Sequence, residues 1–311
     1  MKTVNSLSGG KTSSYLAARY PADLDVFALV CIDDMNAGGR RIDPKIRQMV
    51  NDKLQKYCSD QHEFLSTAED PLILAAMFDL EQHIGREITW LRGIGFQQIS
   101  NTMHLIPNKR HRYCTSLLKI DPIFNFLFRY HELPVKMRIG YRADEGHRVG
   151  NFKDTYFMAT QCDFVIDNIG EQPPGNYKKR KILHPGLKGL RLDRETPPFI
   201  TRWQEVPFRI GEFPMIEDQI VRQDVQRYWR DKDIEFPVDS NCQFCFWKHP
   251  LQIRDNYDRN PGIISSAMVM EEMIGGTFHS ALSMQKIVSL APQLDLFQMK
   301  GAGCHGGYCT D

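Results

Sequence analysis

The chain has 311 residues, 42% hydrophobic and 25% charged, the balance of a soluble globular protein with one large or two modest domains. A formal net charge of +1 excludes recruitment of nucleic acid by a global field and leaves only local basic patches. No apolar run approaches bilayer length, and Ser8-Gly9-Gly10 arrives too early for a signal core, so the reading is a cytoplasmic protein with no membrane partner.

Thr3–Leu7 reads as a first strand and Thr12–Arg19 as a helix closed by Pro21. Asp25–Ile32 is a near-continuous apolar run, the pattern of a strand buried on both faces of a parallel sheet, with Asp33-Asp34 at its end. Pro44–Tyr57 carries Ile46, Met49, Val50, Leu54 and Tyr57 as one helical stripe. His62–Leu65 is read as a third strand, and Pro71–Ile84 as a helix with proline in its first turn. Pro122–Tyr130 continues as helix, and Val135–Ile139 is a strand feeding the loop Gly140–Arg148. Residues 170–198 are rich in proline, glycine and basic residues and read as irregular, a candidate mobile cover. Glu217–Asp231 fits a helix with Ile220, Val221, Val225 and Trp229 inward, and Met268–Ile274 and Ser280–Leu290 are short helices.

This alternation predicts an α/β fold, a mostly parallel sheet flanked by helices, Rossmann-like. The α/β domain is expected to span residues 1–210. A smaller irregular and helical C-terminal region, residues 211–311, bears a cysteine cluster. Ligands of such sheets bind beyond the C-terminal strand ends. Ser8–Ser14, Asp33-Asp34 and Gly140–Glu145 all fall there.

Ser8–Ser14 reads SGGKTSS. It contains Gly-Lys-Thr but lacks the upstream glycine of the common P-loop. A strand, two glycines and a helix N-terminus gather backbone N–H groups and the positive end of a helix dipole at one point. Ser8, Thr12 and Ser13 add hydroxyls, and Lys11 adds charge. The plainer alternative is a turn before an ordinary helix. Cys242 and Cys245 form a CxxC, which places two thiols within reach of one metal or makes them a redox pair. Cys304 and Cys309 sit in the last eight residues. Cys31, Cys58 and Cys162 read as buried small side chains.

Five segments in order resemble one family. They are LSGGKTSSYLA, RYCTSLLKIDP (112–122), GYRADEGHR (140–148), VPFRIGEFPMIEDQIVRQDVQRYW and CQFCFWK (242–248). Together they resemble the PP-loop superfamily of adenine nucleotide alpha-hydrolase-like proteins. Within it the likeness is to the phosphoadenosine phosphosulfate (PAPS) reductase family, closest to phage-borne and DNA-phosphorothioation-type iron–sulfur members. The resemblance implies ATP or PAPS as nucleotide, with Ser8, Gly9, Gly10 and Ser13 holding its terminal phosphates, sulfate or pyrophosphate. Lys11 would stabilise the departing group, and Arg142 would be a further anion contact. Thr12 stands where the family often has aspartate, so any Mg2+ would fall to Asp33 and Asp34; polar residues ending a strand is the equal alternative for that pair.

The resemblance also implies a 4Fe-4S cluster on Cys114, Cys242, Cys245 and one tail cysteine, Cys309 preferred. Zinc is the alternative, because His249 and His305 could complete a mixed set. Family reductases attack the substrate sulfur with a tail cysteine, here Cys304, although GAGCHGGYCTD departs from the usual Glu-Cys-Gly-Leu-His. Two basic runs, Asn108–Arg112 and Tyr177–Lys181, are either contacts for nucleic-acid or nucleotide phosphates or a solvated surface. Trp90, Trp203, Trp229 and Trp247 read as core anchors, with Trp247 a shield for the metal site. The expected function is sulfur transfer or activation with ATP-pyrophosphatase chemistry, passing sulfur to a nucleic-acid or protein acceptor, the chain being a candidate homo-oligomer. Thiol-dependent PAPS or adenylyl-sulfate reduction, and nucleotide sensing without turnover, are the alternatives.

Overall fold

The computed structural model describes residues 1–161 and 201–290, with side chains omitted at 158–161 and 201–204. In chain order the elements begin β1 (Thr3–Leu7), α1 (Lys11–Arg19), β2 (Leu24–Leu29), β3 (Cys31–Ile32), α2 (Pro44–Cys58), β4 (Ser66–Thr67) and α3 (Leu72–Ile84). They continue β5 (Ile88–Arg92), α4 (Phe96–Met103), α5 (Tyr113–Thr115), α6 (Asp121–Tyr130) and β6 (Val135–Ile139). After a 3-10 stretch, Ala143–Asn151, come β7 (Thr155–Gln161), β8 (Thr201–Pro207), β9 (Arg209–Glu212), α7 (Pro214–Glu217) and α8 (Arg222–Trp229). The last are α9 (Pro250–Arg259), α10 (Pro261–Ile274) and α11 (Met284–Val288).

The central sheet runs β5-β2-β1-β6-β9, and every neighbouring pair is parallel. The fold is therefore α/β, as the sequence predicts. Its residues alternate between two cores, as the two-residue period of a strand requires. Phe27 and Leu29 join Leu7, Trp90 and helices α1, α3 and α8 on one face. Val26 and Ala28 join Val4, Met137 and α6 on the other. Trp90 is 1% exposed, edge-on to Phe27 and stacked on Phe78 at 4.8 Å, which confirms it as a core anchor. Each such side chain contributes about 1.5–3 kcal/mol through burial. A third core joins α4, α9, α10 and α11, with Cys114 and Cys242 packed against it.

Three predicted elements are corrected. The run Asp25–Ile32 breaks at Val30, whose carbonyl turns to accept from the Ala68 N–H and the Thr67 hydroxyl. The chain then forms β3, paired antiparallel with β4. The strand expected at His62–Leu65 is β4 instead, displaced to Ser66–Thr67. The helix expected over Glu217–Asp231 is two pieces, α7 and α8, interrupted where Gln219 takes a positive φ of 55°. Val225 and Trp229 are buried as expected, but Val221 lies in that interruption, 37% exposed.

Counted along the chain, the sheet strands build outward from β1 through β2 to β5, then return to the other side of β1 with β6 and β9. The order reverses between β1 and β6. At such a switch point the connections leave in opposite directions and open a crevice beyond the strand ends. Ser6 is in register with Ile139, so the segments after β1 and β6 emerge side by side.

Candidate functional site

At this switch point the chain turns from β1 into α1. Gly9 has φ +74°, and a Cβ there would lie 2.3 Å from Ile73, which is fully buried and cannot retreat. Only glycine meets both demands. Ser13 Oγ closes the turn: it accepts from the Ser8 N–H and the Ser8 hydroxyl, each at 3.1 Å, and donates to the Gly10 carbonyl at 3.1 Å. The first intrahelical bond runs from the Ser14 N–H to the Gly10 carbonyl. The N–H groups of Gly9, Gly10, Lys11, Thr12 and Ser13 therefore have no acceptor among the described residues. They are the unfilled donors of a helix start. Trp229 Nε1–H donates to the Lys11 carbonyl at 2.9 Å and pins this end of α1. The Lys11 side chain is exposed.

Arg142 enters from the segment after β6. Gly140 sits against Ser13: a Cβ on it would be 3.2 Å from the Ser13 Cα. Arg142 Nη1 then donates to Thr12 Oγ1 at 3.1 Å. Its Nε and Nη2 both donate to Asp144, at 3.0 and 3.2 Å. Glu145 lies 3.2 Å from the same guanidinium and 2.9 Å from Arg148. Burial pushes the Asp144 carboxyl up, but Arg142's hydrogen bonds and charge outweigh it, so its pKa falls below the ordinary carboxylate range. Thr12, where an acid was expected, thus receives the arginine through a hydroxyl, and the carboxylates facing Arg142 come from its own loop.

Asp33 and Asp34 do other work. Asp33 pairs with the buried Arg92 at 2.7 Å, and Asp34 Oδ1 accepts from the Asn36 N–H at 2.8 Å. Asp33 thus follows β3 with an ion pair to the last residue of β5, and Asp34 sits in a turn of its own loop.

The second centre lies where Cys242 and Cys245 meet Cys114. Cys114 and Cys242 both pack against the third core, and the Cys245 N–H donates to the Cys242 carbonyl at 3.0 Å. Burial, then the Cys245 charge, pushes the Cys114 thiol up to about 12. Cys242 is raised well above the ordinary value, first by burial and then by Glu69, and burial raises Cys245. Bare thiolates are disfavoured here, so a bound metal group would have to release their protons. Two cations stand beside them. Lys119 pairs with the buried Glu69 at 2.8 Å, and the fully buried Lys248 is tied to Asp239. Among the described residues, no three His, Cys, Asp or Glu side chains converge on a single ion. Cys114, Cys242 and Cys245 are the three described residues of the set that the resemblance implies for an iron–sulfur group, and the two lysines beside them are each paired with a carboxylate. The expected fourth member of that set, Cys309, lies outside the described residues, as do Cys162, Cys304, His305 and the run Tyr177–Lys181. His249 Nδ1 accepts from the Leu251 N–H and caps α9, which commits that nitrogen to structure. Trp247 lies 5.2 Å from Lys109 Nζ and 5.7 Å from the Arg112 guanidinium, so the basic run packs beside the CxxC.

Cys31 and Cys58 are buried, as expected of small core side chains. No protein-family model, curated protein or solved structure matches the chain. Sequence reasoning missed Asp144 and Glu145 as partners of Arg142, the lysine–carboxylate pairs beside the thiols, and Ser240. Ser240 Oγ lies 3.5 Å from Ser8 Oγ, across 232 residues of chain. The acids are visible in the segment YRADE, but nothing local marks Ser240.

Proposed function

We propose that the chain is an adenine-nucleotide-binding enzyme of sulfur activation or transfer, of the PP-loop, PAPS-reductase-like kind. The observation that carries this reading is the row of five unfilled N–H groups at the switch point, with Lys11 and Arg142 beside it. Such an array suits a di- or triphosphate: the amides and helix dipole accept an anion without further reorganisation. In the adenylating form, an acceptor nucleophile attacks the α-phosphorus of ATP. The bond to the bridging oxygen breaks, and its electron pair leaves with pyrophosphate. The loop amides, Lys11 and Arg142 stabilise that developing charge. Mutation data on comparable donors put each at about 3–4 kcal/mol of barrier.

A 4Fe-4S cluster held by Cys114, Cys242, Cys245 and Cys309 would supply electron-transfer or sulfur-handling chemistry when bound. This chain's own part is to enclose the thiols and set Lys119 and Lys248 beside them. Lys109, Arg110 and Arg112, near Trp247, support an acceptor that carries phosphates, such as a nucleic acid.

The test is pyrophosphate release from ATP with nucleic-acid and protein acceptors present, alongside iron and sulfide analysis of anaerobically purified protein. Acceptor-dependent release with stoichiometric iron and sulfide is expected. Sulfite release from PAPS with a thiol reductant would move the assignment to the reductive form. Nucleotide binding without either product would leave a sensor.

A further inference from the structure

The hydroxyls around the loop are not equivalent. Each serine has one proton to give. Ser8 gives its proton to Ser13, and Ser13 gives its own to the Gly10 carbonyl. Both are spent on closing the turn, although the family resemblance implies a role for them as phosphate ligands. Ser240 differs. Among the described residues its Oγ has one hydrogen-bond partner, Ser8 Oγ at 3.5 Å; because Ser8 gives its proton to Ser13, Ser240 is the donor in this long, weak contact. Its proton is available to a stronger acceptor. It also lies directly over the loop: a Cβ on Gly10 would sit 2.7 Å from Ser240 Oγ and 3.1 Å from its Cβ. Gly10 is therefore small so that Ser240 can approach, and Ser240 stands next to the unfilled N–H groups of Gly10 and Lys11.

Ser240 is held there from both sides. The preceding Asp239 accepts from the buried Lys248 ammonium, from the Asn241 N–H at 3.0 Å and from Gln252 Nε2 at 3.0 Å. The following segment is fastened by the Gln243 N–H, which donates to the Ala68 carbonyl at 2.7 Å. Cys242 lies between those two anchors. A strap anchored at both ends thus carries a weakly held hydroxyl to the loop and a thiol to the second centre, two residues apart.

We propose that Ser240 is a phosphate ligand of the nucleotide site, supplied by the cysteine-bearing part of the chain. The inference rests on the nucleotide reading of the loop. It makes that site complete only when the strap 239–243 is docked, and it joins phosphate occupancy mechanically to Cys242. Ser13 becomes the brace of the turn.

The experiment is calorimetric titration of the full-length protein with ATP, inorganic pyrophosphate and adenosine, for wild type, Ser240→Ala and Ser240→Thr. A lost hydrogen bond to a charged group weakens binding about 10-fold or more. Ser240→Ala is expected to lose about that factor for ATP and pyrophosphate, with adenosine affinity and melting temperature unchanged. Ser240→Thr, which keeps the hydroxyl, is expected to recover part of the loss. Wild-type ATP affinity retained within twofold in Ser240→Ala would overturn the inference and leave the nucleotide site standing. An equal loss for adenosine, or a fall in melting temperature that accounts for the loss, would make Ser240 structural and also overturn it. Failure of the wild type to bind ATP would remove the nucleotide reading itself, and this inference with it.

Discussion

Gly9 is where the loop is least negotiable. A methyl group there meets a left-handed backbone penalty of about 1–2 kcal/mol and a collision with Ile73. Overpacking of that kind costs about 1–3 kcal/mol more. Gly9→Ala should therefore destabilise the fold by at least about 2 kcal/mol, read as a lowered urea midpoint at unchanged slope. Arg142 makes a different point. Two of its nitrogens are taken by Asp144, so an arriving anion must compete with that carboxylate. Asp144→Asn should tighten pyrophosphate binding several-fold. The sign of the pH effect follows from the lowered pKa of Asp144. Its contact with Arg142 is complete above the unfolded value of about 3.9 and is lost only as pH falls through the lower folded value. Between about pH 5 and 8 the ratio of wild-type to Asp144→Asn affinity should stay flat; a ratio that changes across this range would contradict the assignment.

At the scale of elements, α8 steadies the loop from behind. Trp229, 4% exposed, packs on Phe236 and donates to the Lys11 carbonyl. Trp229→Phe keeps the ring burial and removes the donor, so a cost of about 1 kcal/mol is expected in unfolding experiments, with weaker nucleotide binding. The sequence shows β1 and β6 with the same bounds as the structure, because each is a short run ended by glycine-bearing turns. It does not show β5, whose last residue is an arginine. Arginine is ordinarily a surface residue, yet Arg92 is buried against Asp33, an arrangement fixed only by tertiary pairing. β9 hides in the same way: Arg209 is buried over the rings of Phe152 and Phe208. The break between α7 and α8 is also tertiary. The Tyr20 hydroxyl donates to Asp218 at 2.6 Å, and the Ala143 N–H takes the Ile220 carbonyl, so the chain is drawn off the helical path that its apolar spacing suggests.

For the whole molecule, two centres meet along one strap. In the first, the sequence shows the contiguous turn Ser8 to Ser13 and Arg142 after a recognisable strand, but not the partners these residues take in the fold. The second was legible as a set of cysteines, but its charges were not. Asp239 and Lys248 flank the CxxC three residues away on either side, whereas Glu69 and Lys119 come from distant segments and reach the thiols only through the fold. Ser240 belongs to the same class, a residue whose role is created by a contact across 232 positions. The central claim is that the crevice between β1 and β6 holds the phosphates of an adenine nucleotide. Amide hydrogen exchange on the intact protein, with and without ATP, tests it most directly. The account predicts slowed exchange at the N–H groups of Gly9 to Ser13, which have no acceptor among the described residues. Saturable ATP binding with exchange at those five amides unchanged would contradict it.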